Sequence, residues 1–376
     1  MATLGIGLIG SGFMGRCHAL AFRAAAGVFA LPTRPVLEML ADIDDDAARR
    51  AAEGFGFARS TGDWRVLVDD PAVDVVDVTA PNTLHEPIAM AAIAAGKTVY
   101  CEKPLAPDSA TAKAMVDAAE AAGVATMVGF NYLKNPMVMV AREIIDSGDI
   151  GEVIRFRGIH AEDYMADANA PYTWRLDPVG GHGVIADLGS HIISLARYLV
   201  GDIAAVSGDL ETVVKRRPGA PGAGETRAVE VDDQARALLR FAGGARGSIE
   251  ASWMAAGRKM QLAFEVTGTR GSIALNHERL NELELYQQGQ PAGRGGFKTI
   301  VAGPEHPHYS SFCVAPGHQL GFNDLKTIEV RDLIDGLAGG TPPWPDFREA
   351  WEIQRVVDAV VRSARESRWV AVEEIG

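Results

Sequence analysis

Between Leu4 and Gly129 the chain alternates short, almost wholly apolar runs with longer Ala-rich stretches. The runs Leu4–Ile9, Val36–Ala41, Val73–Val78, Thr98–Cys101 and Ala125–Gly129 predict strands. Phe13–Ala26, Asp45–Gly54, Thr83–Ala95 and Asp108–Ala122 predict the helices between them. A strand that is apolar at nearly every position has both faces covered. Repeated βα units of this kind build a doubly wound parallel sheet of the Rossmann type. Beyond Pro136 the texture changes. A helix is expected over Met137–Ser147, a strand over Gly151–His160, and a loop rich in Asp, Asn and Pro over Asp163–Gly183. Leu188–Val200 reads as a helix. The runs Val206–Val214, Val231–Phe241, Gly247–Ser252, Met260–Thr267, Ser272–Asn276 and Leu280–Tyr286 alternate, with glycine turns between several of them. That pattern predicts an open, mainly antiparallel sheet. Helices near Leu325–Leu337 and Phe347–Ser367 close the chain. Pro218–Gly224 and Gln287–Gly296 read as hairpin excursions rather than linkers.

The expected architecture is therefore α/β throughout. A dinucleotide-binding Rossmann domain spans residues 1–129, and a second α/β domain for substrate binding and oligomerisation spans 130–376. The last helix, about 347–367, is available to pack back on the first domain.

Composition narrows the function. Of 376 residues, 47% are hydrophobic and 23% charged, which is globular composition. The net charge of −13 repels phosphate backbones and anionic lipid heads, so neither nucleic acid nor membrane is an expected partner. Three dispersed cysteines, Cys17, Cys101 and Cys313, form neither a disulfide framework nor a metal knuckle. No basic region precedes the first strand and no apolar run reaches spanning length, so a reducing cytoplasm is the expected address. His306, His308 and His318 lack metal-ligand spacing, and no metal is expected.

Gly10-Ser11-Gly12-Phe13-Met14-Gly15 lies between the first strand and the first helix. In that context the GxGxxG pattern points to a dinucleotide. The first glycine permits the turn, the second lets backbone approach the pyrophosphate, and the third lets helix and strand pack closely. Asp42, at the end of the second strand, admits two readings: acceptor for both ribose hydroxyls of NAD, or cap of the next helix. The first reading favours NAD over NADP. Thr79-Ala80-Pro81-Asn82 follows the third strand, either as a turn beneath the cofactor or as a plain turn.

Lys103, in Glu102-Lys103-Pro104, ends the fourth strand. There it can stabilise a developing alkoxide, or serve only as a loop lysine beside a carboxylate. Asp187 suits the N-cap of the helix that follows it, and His191 lies four positions on. The pair offers a carboxylate-supported general acid/base.

These motifs resemble the Gfo/Idh/MocA oxidoreductases, named for glucose–fructose oxidoreductase and inositol dehydrogenase. The segments that carry the resemblance are GLIGSGFMG, VTAPNTLHEPIAMAAIAAGKTVYCEKPL, VGFNYLKNP, GHGVIADLGSHIISLARYLVGD and FREAWEIQRVVDAVVRSARES, so it covers essentially the whole chain. It implies a catalytic triad of Lys103, Asp187 and His191: His191 takes the hydroxyl proton, Asp187 orients it, and Lys103 holds the substrate oxygen. It also implies that Asn82, His85, Glu102, Asn131 and the pair Trp174-Arg175 line the cofactor, and that Tyr132, His160 and Asp163 touch substrate. The late segments FRGIHAEDYMADANAPYTWRL, TIVAGPEHPH and GFNDLKTIEVRDLIDGLAGG are similar to members acting on anhydrosugars, which implies an anhydrosugar, aldose or inositol substrate. The family further implies a homodimer or homotetramer. Two alternatives share the fold: a glycoside-cleaving enzyme that recycles NAD internally, and a non-catalytic dinucleotide-binding sensor.

Overall fold

The structure, a computed structural model, describes residues 2–219 and 225–376. The chain divides into two compact units, Met1–Lys134 with Gly321–Glu352, and Asn135–Leu320 with Ile353–Gly376. The sequence reading drew a single boundary after Gly129; here the C-terminal stretch is divided between the two units.

In the first unit, the elements in chain order are β1 (Thr3–Ile9), α1 (Phe13–Val28), β2 (Arg34–Ala41), α2 (Asp45–Phe55), β3 (Arg59–Thr61), α3 (Trp64–Asp69), β4 (Val75–Val78), α4 (His85–Ala94), β5 (Thr98–Cys101), α5 (Ser109–Ala122) and β6 (Thr126–Val128). The six strands form one parallel sheet in the order β3-β2-β1-β4-β5-β6. The doubly wound expectation holds, and its physical basis is visible in the burial of Ile6, Leu8, Val75, Val76 and Val99. Three differences concern short pieces. β3 and α3 are too short to show a period, and the third expected strand begins at Val75 rather than Val73.

In the second unit lie α6 (Pro136–Asp146), β7 (Val153–Ala161), α7 (Val184–Asp187), α8 (Gly189–Val200), β8 (Ile203–Glu211), β9 (Arg216–Pro218), β10 (Thr226–Ala228), β11 (Gln234–Phe241), β12 (Arg246–Ser252), β13 (Gln261–Gly268), β14 (Gly271–Asn276), β15 (Glu282–Gln287), β16 (Lys298–Val301), α9 (Tyr309–Phe312) and β17 (Val370–Ala371). Nine strands form an open sheet in the order β16-β15-β14-β13-β7-β12-β11-β8-β17. Every pairing is antiparallel except β7 with β12. The alternation is clear in β11, where Ala235, Ala237, Leu239 and Phe241 are buried and Arg236, Leu238 and Arg240 exposed. α8 covers the buried face, and Ile192 approaches β7 closely enough that a Cβ on Gly158 would lie 2.5 Å from its side chain. β9 and β10 pair on either side of the expected Pro218–Gly224 excursion, of which residues 220–224 lie outside the described residues. No single helix among the described residues is long and apolar enough to cross a membrane.

Two helices remain. α10 (Phe322–Leu337) returns to the first unit, and α11 (Phe347–Glu366) is divided between the units at Glu352. Val330, Leu333 and Ile334 of α10 join Ile6, Phe22, Val75, Tyr100 and Met127 in one core cluster. α10 is therefore a structural part of the dinucleotide fold. Leu333 is fully buried there. We expect Leu333→Ala to lower stability by about 2–5 kcal/mol, as for other buried leucine truncations, read by denaturant unfolding.

Candidate active site

The glycine-rich turn has the geometry its pattern implies. Gly10 lies at φ +100°, in the left-handed region, which lets the chain leave β1 and enter α1. A Cβ on Gly15 would lie 2.1 Å from the Gly10 carbonyl oxygen, so helix and turn touch through bare backbone. Thr79 donates its hydroxyl to the same carbonyl at 2.8 Å. Gly12 is the N-cap of α1; no side chain caps the helix, and a Cβ there would meet nothing within 4 Å. α1 thus begins with uncapped N–H groups beside open space, an arrangement suited to phosphate. Phe13 is 72% exposed and Met14 half-buried. Phe322 stacks on Phe13 at 5.8 Å and meets Tyr132 edge-on at 6.0 Å.

Asp42 accepts the Ser11 N–H at 2.9 Å and the Ile43 N–H at 2.6 Å. The cap of α2 is Asp44, which accepts the Ala47 N–H, so the capping reading of Asp42 falls away. Pro81 and Asn82 lead into a single 3-10 turn, Asn82–Leu84, before α4. His85 is fully buried, its Nδ1 2.8 Å from the Pro104 carbonyl oxygen and its Nε2 2.9 Å from that of Ala80. It braces the two turns from behind instead of presenting a nitrogen to a ligand, and burial lowers its pKa. Asn131 is 2% exposed, and its Nδ2 has no hydrogen-bond partner among the described residues. A buried donor left unmet is costly, and an acceptor supplied by a bound dinucleotide would meet it. These residues fit such a cofactor.

Glu102 is also interior, and its carboxylate is committed. Oε1 lies 2.6 Å from Lys326 Nζ and 2.9 Å from His18 Nε2; Oε2 accepts the Lys103 N–H at 3.2 Å. His18 Nδ1 lies 2.8 Å from Asp77, and Lys326 reaches Glu329 at 2.8 Å. Burial alone would raise the pKa of Glu102, but the Lys326 ammonium and then His18 outweigh it and hold the carboxyl well below the usual range. Burial likewise opposes charge on His18 and Lys326, and their carboxylate neighbours overcome it and raise both. Sequence reasoning missed His18, Asp77, Lys326 and Glu329. One signal was present, the single charged residue in the otherwise apolar β4.

In the second unit, the helix expected over Leu188–Val200 is observed as α8, and a short helix, α7, precedes it. Asp187 ends α7, and Leu188, not Asp187, holds the N-cap of α8, which has no side-chain cap. The entrance to α7 is held by buried Asp232, which accepts the N–H groups of Gly183 (3.0 Å) and Ile185 (2.8 Å). Gly183 lies so close that a Cβ would fall 2.0 Å from the Asp232 carbonyl oxygen. His191 is 5% exposed, its ring centroid 5.5 Å from that of His160. His160 is buried, with Nδ1 3.0 Å from the Leu188 carbonyl oxygen and Nε2 3.2 Å from Glu162. Its place is beneath the turn, as a support, and not at a substrate surface as the resemblance implied. Asp163 is bound by Lys259 Nζ at 2.6 Å and the Gly257 N–H at 2.9 Å, so its carboxylate anchors a loop. Asp187 Oδ2 accepts the Tyr164 hydroxyl at 2.8 Å and lies 3.5 Å from Arg175 Nε. The Arg175 guanidinium rests 4.4 Å from the Trp174 ring, which is half-exposed. Tyr164 carried no sequence signal.

Two tests follow from these buried groups. Lys326→Met leaves the Glu102 and Glu329 carboxylates without their shared cation, and should cost about 3–5 kcal/mol in denaturant unfolding. The second concerns His277, whose pKa is pushed down from 6.5 to about 3 by burial and then by His160. Below pH 6.5 the unfolded chain binds a proton that the folded chain refuses until about pH 3. Stability therefore falls as pH drops through that window, with a slope from this group approaching about 1.4 kcal/mol per pH unit. His277→Asn should flatten the loss in unfolding titrations between these limits.

The chain matches known proteins along its whole length. Residues 4–130 match the profile described as "Oxidoreductase family, NAD-binding Rossmann fold", and residues 138–274 match that of the "GFO/IDH/MocA C-terminal domain". Levoglucosan dehydrogenase of Pseudarthrobacter phenanthrenivorans is 40% identical over 388 aligned positions, covering 100% of both chains. Among solved structures, an NAD binding oxidoreductase from Klebsiella pneumoniae is 47% identical with a TM-score of 0.95, covering 99% of each chain. Levoglucosan dehydrogenase in complex with NADH and levoglucosan is 40% identical with a TM-score of 0.95, covering 98% of this chain and 99% of that one. Sequence and fold are thus shared with these proteins over the full length, and the chain belongs to the Gfo/Idh/MocA family of oxidoreductases, with an NAD-binding Rossmann fold.

Proposed function

We propose that this oxidoreductase is a dehydrogenase that oxidises a secondary hydroxyl of a sugar-like substrate, with an anhydrosugar such as levoglucosan as the first candidate and aldoses and inositols next. The observation that carries the reading is the full-length likeness to levoglucosan dehydrogenase, in sequence and in fold. NAD, when bound, supplies the hydride acceptor. The chain's own residues do the rest. His191 takes the hydroxyl proton, Asp187 holds and orients the imidazole, and the Lys103 ammonium steadies the oxygen as negative charge develops on it. Gly10, Gly12 and Gly15, at the start of α1, would hold the pyrophosphate. Asp42 takes the adenosine ribose hydroxyls and repels a 2′-phosphate, which selects NAD over NADP. Asn131 supplies its buried amide, and Trp174, Arg175 and Tyr132 complete the contacts. We infer a cytoplasmic enzyme that self-associates as a dimer or tetramer.

The deciding assay is NADH formation at 340 nm with NAD or NADP against levoglucosan, aldoses and inositols. Turnover of one such substrate with NAD supports the reading. No turnover, with dinucleotide retained through purification, would replace it with internal redox on glycosides. Lys103→Met and His191→Ala should each lower kcat by about 10²–10⁴-fold, while NADH affinity, read by fluorescence, stays within about threefold. Asp42→Ser should weaken NAD binding and admit NADP; an unchanged preference would remove Asp42 from the cofactor site.

A further inference from the structure

We propose that Tyr164 is a positioning residue for proton transfer, setting the basicity of His191 through Asp187. The proposal rests on the proposed function, in which His191 is the acid/base group and Asp187 the residue that orients it.

Tyr164 is 43% exposed, yet it is not a loose surface side chain. Its neighbours on both sides are anchored. Asp163 is held by Lys259 and the Gly257 N–H. Met165 is buried, donates its N–H to the Trp253 carbonyl, and gives its own carbonyl to the guanidinium of Arg217 at 2.6 Å. Arg217 is itself 1% exposed and reaches the Asp167 carbonyl as well, so a buried cation fastens this stretch of loop. The Tyr164 ring stands edge-on to the fully buried Trp253. Backbone and ring being fixed, the hydroxyl is aimed at Asp187 Oδ2, 2.8 Å away.

The electrostatic consequence has a definite sign. A hydroxyl that donates to a carboxylate spreads its charge and weakens its pull on a neighbouring imidazolium. Arg175 acts in the same direction from 3.5 Å, as a full charge. Glu162 adds negative charge near Tyr164 and is held 3.2 Å from His160 Nε2, and the His160 ring adjoins that of His191. Tyr164 is the neutral donor of this group. Burial and the Asp187 charge both raise its own pKa, so it stays protonated and keeps donating across the working pH range. Without the hydroxyl, Asp187 holds the His191 imidazolium more firmly, and the base becomes available only at higher pH.

The experiment compares pH profiles of kcat/KM and kcat for sugar oxidation in wild type, Tyr164→Phe and His191→Ala, with NADH affinity by fluorescence. Tyr164→Phe keeps the ring on Trp253 and removes only the hydroxyl of a residue that is 43% exposed, so folding is not in question. We expect its acidic limb to move up by about one pH unit and kcat to fall by about fivefold to tenfold, with NADH affinity unchanged. The limb should vanish in the residual activity of His191→Ala. An acidic limb absent in His191→Ala but unmoved in Tyr164→Phe overturns the proposal and leaves the base assignment standing. A raised KM with the limb unmoved also overturns it, and makes Tyr164 a sugar contact. A limb that persists in His191→Ala overturns the base assignment and the proposal with it.

Discussion

A carboxylate carried into the interior of a parallel sheet costs several kcal/mol unless it meets charge and hydrogen bonds there. Glu102 meets both. It stands at the end of β5, where the strand gives way to Lys103, and its oxygens are taken by Lys326, His18 and the next residue's own N–H. Each partner comes from a different element: His18 from the helix that opens at the glycine turn, Asp77 behind it from β4, and Lys326 from a helix more than two hundred residues further on. Breaking any one contact leaves charge without compensation in a low-dielectric interior. The ionic cluster therefore fixes the position of α1, of the strand end that carries Lys103, and of α10 together. It also accounts for a glycine. At Gly129 a Cβ would fall 2.5 Å from Glu102 Oε1 and 2.9 Å from Lys326 Nζ, so the chain passes the cluster as bare backbone.

The second unit meets the same constraint by other means. Asp232 is as deeply buried as Glu102 is, but its partners are the N–H groups at the head of α7, which are fixed once the helix forms. Such a carboxylate gives shape and nothing else. Asp187, one turn on, is met by the side chains of Tyr164 and Arg175, both partly exposed. Side-chain partners of this kind can be altered without unmaking the helix, whereas backbone N–H groups cannot. One short helix thus carries a rigid carboxylate contact at its entrance and an alterable one at its exit.

What could be read from the sequence follows these physical differences. The first sheet was legible because strands covered on both faces are written as unbroken apolar runs, and the glycine turn because its spacing has a steric cause. Lys103, Asp187 and His191 stood out by position, and a family likeness added Asn131. The short helix α7 was not legible, since four residues are too few to show a period and its entrance is held by Asp232, more than forty residues further on. Lys326 and Glu329 were missed because an i, i+3 charge pair ordinarily marks a solvated helix face. Only the core around them reverses that meaning. His85 and His160 carried the right residue type, but the carbonyl and carboxylate oxygens that occupy their nitrogens come from turns no pattern brings together.

The distribution of these anchors bears on how substrate choice can vary. The turn that carries Asp187 and His191 rests on buried Asp232 and buried His160, and Lys103 rests on buried Glu102, so neither can change without disturbing a core. The loop over residues 163–183 is different. It is anchored at intervals, by Asp163 on Lys259, Tyr164 on Asp187, the Met165 and Asp167 carbonyls on Arg217 and the Tyr172 N–H on the Pro218 carbonyl, while the stretch from Asp167 to Ala170 is closed by local turns. Within it, the exposed Ala168 and Asn169 can be exchanged at little cost to stability. A fold built this way fixes the turns at Lys103 and at Asp187 and His191 through buried charge and leaves the stretch over residues 167–170 to local turns, so the shared fold does not by itself fix what the protein binds.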